Sequence, residues 1–230
     1  MALLSRRNLI ALGGAIIALA LTPAASLAAA GPSVTVRVEG LKRSLLGPTL
    51  VQTHTGWITQ GGAPTGKCPA TSGQGALDVA TKHRWAGKFS SSLGSYFITT
   101  ILGETENGPT IYWSIFVNNR SASTGGCGVK LHSGDQLLFA AAKYPEYPLG
   151  VVAPSTAKAG HSVSAKVVWF NAKGKAAPLA GATVSVGGRT AKTNNRGVVT
   201  LTLSHAGTYT VKATHAGYIR AAPVGLRVTG

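Results

Sequence analysis

The sequence predicts a mainly β protein in two modules. The first is α+β, with one short helix at about residues 72–84 laid on a small sheet, and the second is an all-β sandwich. Three observations carry this reading. Apolar residues alternate with period two along several segments, as half-buried strands require. A helix start is signalled only once. The charge pattern also changes near residue 150: all six acids (Glu39, Asp78, Glu104, Glu106, Asp135, Glu146) precede it, whereas residues 151–230 hold ten Lys or Arg and no acid.

The chain opens with Arg6-Arg7, an uncharged apolar run from Leu9 to Leu21, and small residues from Ala24 to Ala30. This is the pattern of a cleavable signal peptide over residues 1–30, with cleavage after Ala28 or Ala30. The Ser5 to Ile10 run resembles a twin-arginine export signal, and an ordinary Sec signal reads equally well. Pro23 and the small-residue tail favour cleavage over an uncleaved anchor, and no later run approaches the ~18 apolar residues of a membrane span. An extracellular or cell-surface location is therefore expected. Without its leader the chain keeps 20 Lys and Arg against six acids, a formal charge of +14.

The first module is expected over residues 31–143. Val34, Val36 and Val38 alternate with Thr35, Arg37 and Glu39 in one half-buried strand, and Thr49 to Thr53 forms a second. His54 to Pro69 is a Gly/Pro-rich loop in which Trp57 and Ile58 serve as core anchors. Thr71-Ser72-Gly73-Gln74 has the spacing of a capping box. It places Ala76, Leu77 and Ala80 on the inner face of the helix and Gln74, Asp78 and Lys82 outward. Strands return at Tyr96 to Leu102 and Ile111 to Val117. The latter is apolar on both faces, as in a strand covered on two sides. The His132-Ser133-Gly134-Asp135 turn introduces a last strand from Gln136 to Ala142.

Gly103-Glu104, Tyr112-Trp113, Val117-Asn118, Gly134-Asp135 and Phe139 together resemble a bacterial domain of unknown function related to the carboxy-terminal domain of transcobalamin. The Val36 to Gly40 run and the Cys68 to Ser72 segment are similar to its actinobacterial-type members. The resemblance covers about residues 33–142 and implies a β-grasp fold in an exported protein. Cobalamin does not carry over, because the large helical domain that completes a transcobalamin site is absent.

Residues 144–152, with Pro145 and Pro148, read as a semi-rigid linker. Beyond it, strands are expected at Ser162–Phe170, Ala182–Val186, Val198–Leu203, Thr208–Thr214 and Val224–Thr229. The Pro178 to Val184, Thr193 to Gly197 and Gly207 to Ala213 runs resemble bacterial immunoglobulin-like and carboxypeptidase-regulatory-like modules. Tyr209 looks like their tyrosine-corner residue. Such modules space or present other domains, and the resemblance implies no activity of their own.

Candidate chemistry is sparse. Cys68 and Cys127 are the only cysteines, and in an exported chain they are expected to form a disulfide. The six histidines stand apart, so no metal site and no cofactor are expected. Asp78 and Glu104 have no acid–base partner at useful spacing, and no G-x-S-x-G elbow occurs, so the protein is read as non-enzymatic. Asp135 is read as a turn residue. Asn119-Arg120-Ser121 matches a short glycosylation sequon. The remaining candidate is a binding surface for a small molecule or glycan formed by Tyr112, Asn118, Asn119 and Arg120. Scattered Lys and Arg without interleaved aromatics argue against specific nucleic-acid binding. The expected function is an exported, monomeric binding protein whose first module takes a ligand and whose second is a spacer. The alternative is a structural or adhesive wall protein whose basic module contacts an anionic cell-wall polymer or membrane surface.

Overall fold

The computed structural model describes residues 30–106 and 108–230. The predicted signal peptide lies outside them, except for Ala30. The chain is mainly β with one short α-helix, as its sequence predicts.

The first module begins with a hairpin of β1 (Ala30–Glu39) and β2 (Ser44–His54), followed by helix α1 (Gly73–Thr81). Three strands then form a small separate sheet: β3 (Trp85–Ser90), β4 (Ser95–Ile101) and β5 (Glu104–Thr105). The chain returns to the main sheet through β6 (Ile111–Val117), β7 (Arg120–Ser121) and β8 (Gln136–Lys143). The main sheet has the order β2-β1-β8-β6-β7, with β1 and β8 parallel at its centre. Hairpin, helix, then hairpin, with first and last strands side by side, is a β-grasp arrangement. Val34, Val36 and Val38 of β1 and Leu137 and Phe139 of β8 pack with Leu77 of α1 in one core.

The helix departs from expectation in three ways. Ser72, not Thr71, caps it, its hydroxyl accepting from Gly75 N–H at 3.4 Å. It stops at Thr81, because Lys82 and His83 both turn to positive φ. Gln74 and Asp78, expected outward, are buried instead. Asp78 accepts from Trp85 Nε1 at 2.7 Å and lies 2.8 Å from Nδ1 of His83, whereas the Gln74 amide finds no hydrogen-bond partner among the described residues. Of the two predicted loop anchors, Ile58 is buried but Trp57 remains 48% exposed.

The segment read as a linker carries β9 (Tyr147–Val152), an integral strand of the second module. Pro148 is tolerated because β9 pairs antiparallel with β11 through Leu149 to Val152, while residues 147–148 face the short parallel strand β17. The remaining strands are β10 (Thr156–Lys158), β11 (Ser162–Phe170), β12 (Ala176–Pro178), β13 (Thr183–Val186), β14 (Arg189–Lys192), β15 (Val198–Thr202), β16 (Gly207–Thr214), β17 (Tyr218–Ile219) and β18 (Val224–Thr229). One sheet is ordered β10-β18-β16-β13-β14. The other is β12-β11-β9-β17, with β15 also on β11. Their inner faces enclose a second core that includes Leu149, Val167, Val184 and Leu226. The Tyr209 hydroxyl donates to His205 O at 2.9 Å, as expected of a tyrosine corner.

The two modules are joined directly. Leu138, Ala140 and Ala142 point to the face of β8 opposite the first core, and with Phe116 they pack on Ile219 and Tyr147. This explains the apolar character of both faces of β6 and β8: the second face is covered by the second module. Arg37 and Glu39, expected on a half-exposed face, are buried at this joint. Arg37 Nη1 donates to Glu39 Oε1 at 2.7 Å and to Arg220 O at 3.0 Å, and Arg220 Nε donates to Glu39 Oε2 at 2.9 Å. Arg220 also donates to the carbonyls of Leu41 and Gly40. Burial lowers the Arg37 pKa from its usual value, and the Glu39 carboxylate opposes that shift.

A candidate aromatic cleft on the first module

The β6–β7 turn accounts for most of the predicted site residues. Asn118 and Asn119 both have positive φ, so they form the tight turn of this hairpin. The Asn118 side chain is fully engaged. Its Nδ2 donates to Asp135 Oδ1 at 2.8 Å and its Oδ1 accepts from Gln136 N–H at 2.9 Å. Asp135 also accepts from the His132 backbone at 2.8 Å, while Gly134 supplies the positive φ of that turn. Asp135 thus holds two turns together, which is the structural role expected of it.

Asn119 lines a depression at the module boundary with Arg37, Gln136 and Leu149. Arg120 is exposed and lies against the 171–175 loop of the second module, where Ser121 N–H donates to Ala172 O at 3.1 Å. Tyr112 is elsewhere. It sits at the start of β6, five residues from Val117, or about 16 Å along an extended strand. The four predicted residues therefore do not form one site, because a single β-strand separates the tyrosine from the turn.

Tyr112 instead lines a cleft of about 340 Å³ with Tyr96 and Phe97 of β4, Ser121, Thr124, and Tyr144 and Glu146 before β9. β7 pairs only with Phe116 and Val117, so the edge of β6 from Ile111 to Ser114 has no partner strand and forms the floor. Trp113 Nε1 donates to Thr99 O at 3.2 Å and fixes the separation of the two walls. The disulfide Cys68–Cys127 (Cα–Cα 4.7 Å) pins the loop before α1 to the turn at 126–128, beside the Thr124-Gly125 end of the cleft. Ser95, next to that wall, accepts from Cys127 N–H at 3.1 Å.

The rings at the mouth are open to solvent: Phe97 is 49% exposed and Tyr144 is 71% exposed. Tyr112 is half-buried, and its phenol is held above its usual pKa by burial first and by the neighbouring Tyr144 second. Tyr96 at the back is pushed up to about 12, by burial and then by the Asp78 carboxylate. Its hydroxyl donates to Ile58 O at 3.3 Å and to Gln60 O. The polar groups of the lining are thus phenols and hydroxyls, plus the Glu146 side chain, set among apolar residues such as Ile98 and Phe116. No Lys or Arg lines this cleft, although the chain carries a formal +16. Phe97 and Tyr144 were not legible as site residues, since one lies within a strand pattern and the other in the presumed linker.

Among the described residues no group of three or more His, Cys, Asp or Glu side chains is placed to hold a metal ion. No helix there is long and apolar enough to cross a membrane. The disulfide fits an exported chain.

Comparison with known proteins defines the class only coarsely. The chain is a β-rich, disulfide-bonded protein in which residues 73–143 match the family described as a domain of unknown function, DUF4430. That span holds Tyr96, Phe97 and Tyr112 but ends before Tyr144. No curated protein matches the chain. A solved structure from Ruminococcus gnavus ATCC 29149, provisionally described as a metal binding protein, is similar over 49% of this chain and 97% of its own. Its identity is 16% and its TM-score 0.34, a likeness too distant to bear on function.

Proposed function

We infer that the protein is an exported, non-enzymatic binding protein whose aromatic cleft takes a neutral glycan. One observation carries this reading: Phe97, Tyr112 and Tyr144 present ring faces and edges in an open cleft that the cations of a basic protein avoid. Sugar rings offer apolar C–H faces to aromatic rings and hydroxyls to polar neighbours. Ser121, Thr124, Glu146 and the phenols supply those polar partners. The resemblance of Tyr112-Trp113 and Gly134-Asp135 to transcobalamin-related β-grasp domains supports a ligand-binding role for this module and says nothing of cobalamin.

The test is a glycan binding screen on the full exported chain, followed by titration with the best neutral ligand. Tyr112→Ala is expected to weaken binding by about tenfold, the loss of one stacked ring. Arg120→Ala should leave affinity unchanged, since Arg120 lies outside the cleft. Unaltered binding in Tyr112→Ala, or a screen in which no neutral glycan binds, overturns the reading.

A further inference from the structure

We propose that the outer face of the β10-β18-β16-β13-β14 sheet is a docking surface for a linear, phosphodiester-linked polyanion of the cell envelope. The proposal does not rest on the aromatic cleft, which lies on the other module.

Strand alternation sorts this sheet into two faces. Val184, Val211, Leu226 and Val228 point into the sandwich core. The opposite face carries Lys158 on β10, Arg227 on β18, Lys212 on β16 and Lys192 on β14, all exposed. The register places them in order across the sheet. Thr156 and Thr208 flank Arg227 on neighbouring strands, Lys212 lies opposite Ser185, and Lys192 lies opposite Thr183. Four of the five strands thus contribute one cation each, across a width of about 19 Å set by the strand spacing. Between the cations the face is almost entirely hydroxyl: Thr156, Thr208, Thr210, Thr214, Thr190 and Ser185.

Three features point to one kind of occupant. The module contains no Asp or Glu, so no acidic side chain within it neutralises these charges. The only ion pair it makes among the described residues uses Arg220, at the other module. The face bears no aromatic ring, so it offers nothing for bases to stack on and does not suit single-stranded nucleic acid. Spaced cations with hydroxyl donors between them complement a chain of regularly spaced phosphates. Lys212 also borders a niche shared with Arg43, Ser44 and the Arg220-paired Glu39 of the first module.

The experiment measures binding of the full exported chain to poly(glycerol phosphate) as a function of salt. Two quadruple variants, each four charges lower, are compared with it. One removes the face: Lys158→Gln, Lys192→Gln, Lys212→Gln and Arg227→Gln. The other removes exposed charges elsewhere in the same module: Lys166→Gln, Lys173→Gln, Lys175→Gln and Arg196→Gln. Thermal unfolding of both confirms that the fold is kept.

The face variant is expected to bind on the order of a hundredfold more weakly at low salt, with a shallower salt dependence. The control variant should change affinity several-fold at most. Equal losses in the two would show that net charge alone acts and would overturn the proposal. Tighter binding to phosphatidylglycerol vesicles or to single-stranded DNA than to the polymer would overturn the assigned partner.

Discussion

Arg220 Nε donates to Glu39 Oε2 at 2.9 Å across the joint between the two modules. The second module has no Asp or Glu of its own, and its Arg220 pairs with a carboxylate of the first. Glu39 is almost fully buried and also serves Arg37, which makes it the hub of the joint.

Glu39→Gln should therefore cost about 3 kcal/mol in urea unfolding, because it leaves the buried Arg37 cation without a carboxylate. Arg220→Ala should cost less, about 1–2 kcal/mol, since its side chain is partly exposed and Arg37 still compensates Glu39. The reverse order would mean that Arg220, not Glu39, is the hub.

Replacing both Cys68 and Cys127 with Ala frees a loop spanning a sequence separation of 59. On the chain-entropy account this lowers stability by about 4 kcal/mol. Calorimetry of the double variant, or of the wild type with reductant, should show a large fall in Tm. An unchanged Tm would show that the bridge does not constrain the unfolded chain.

The raised pKa of Tyr96, about 12 against an ordinary value of 10.0, has a definite sign. The folded state keeps the phenol proton where the unfolded chain has lost it. The stabilisation is complete below pH ~10 and is lost as pH rises from there towards ~12. Alkaline titration of tyrosinate absorbance should show a last phenol titrating near pH 12 that disappears in Tyr96→Phe. That variant should also lose about 1 kcal/mol at neutral pH with its hydrogen bonds.

Asn118 is a turn residue whose side-chain amide bonds to Asp135 and Gln136. Asn118→Gly keeps the positive φ and loses two side-chain hydrogen bonds, a cost of about 1–2 kcal/mol. Asn118→Ala adds backbone strain of about 1 kcal/mol. Both should leave glycan affinity unchanged, as measured by titration at a temperature where each is folded.

Gln74 is fully buried, with no partner for its amide among the described residues. Gln74→Met, of similar length and without polar atoms, should raise stability by about 1 kcal/mol, because it removes the desolvation cost of an unsatisfied group. A loss of stability instead would show that the amide is bonded in solution.

The elements legible in the sequence are those with a regular apolar pattern. β1, β11, β16 and β18 fall where alternation places them, whereas β6 and β8, covered on both faces, read as apolar runs. The early stop of α1 was hidden, since nothing in Lys82-His83 announces two successive positive-φ residues without glycine, and β3, which follows directly, went unread. β9 was hidden by its prolines and by the charge boundary beside it. The burial of Gln74 and Asp78 depends on the 126–128 turn and on Trp85, which fold back over α1 from elsewhere in the chain. Of the cleft, Tyr112 was legible from its motif. Phe97 and Tyr144 were not, because only the stacking of the small sheet and β9 beside β6 brings them together.

The joint also sets an order in time. Glu39 and Arg220 are 181 residues apart. At synthesis rates of about 5–20 residues per second, Glu39 waits roughly 10–40 s for its partner to be made. Ile219 follows Leu138 by 81 residues, so the Phe116–Leu138 face of the newborn first module has no cover from it for roughly 4–16 s. The basic module, made after the first, closes the face that the earlier one leaves bare.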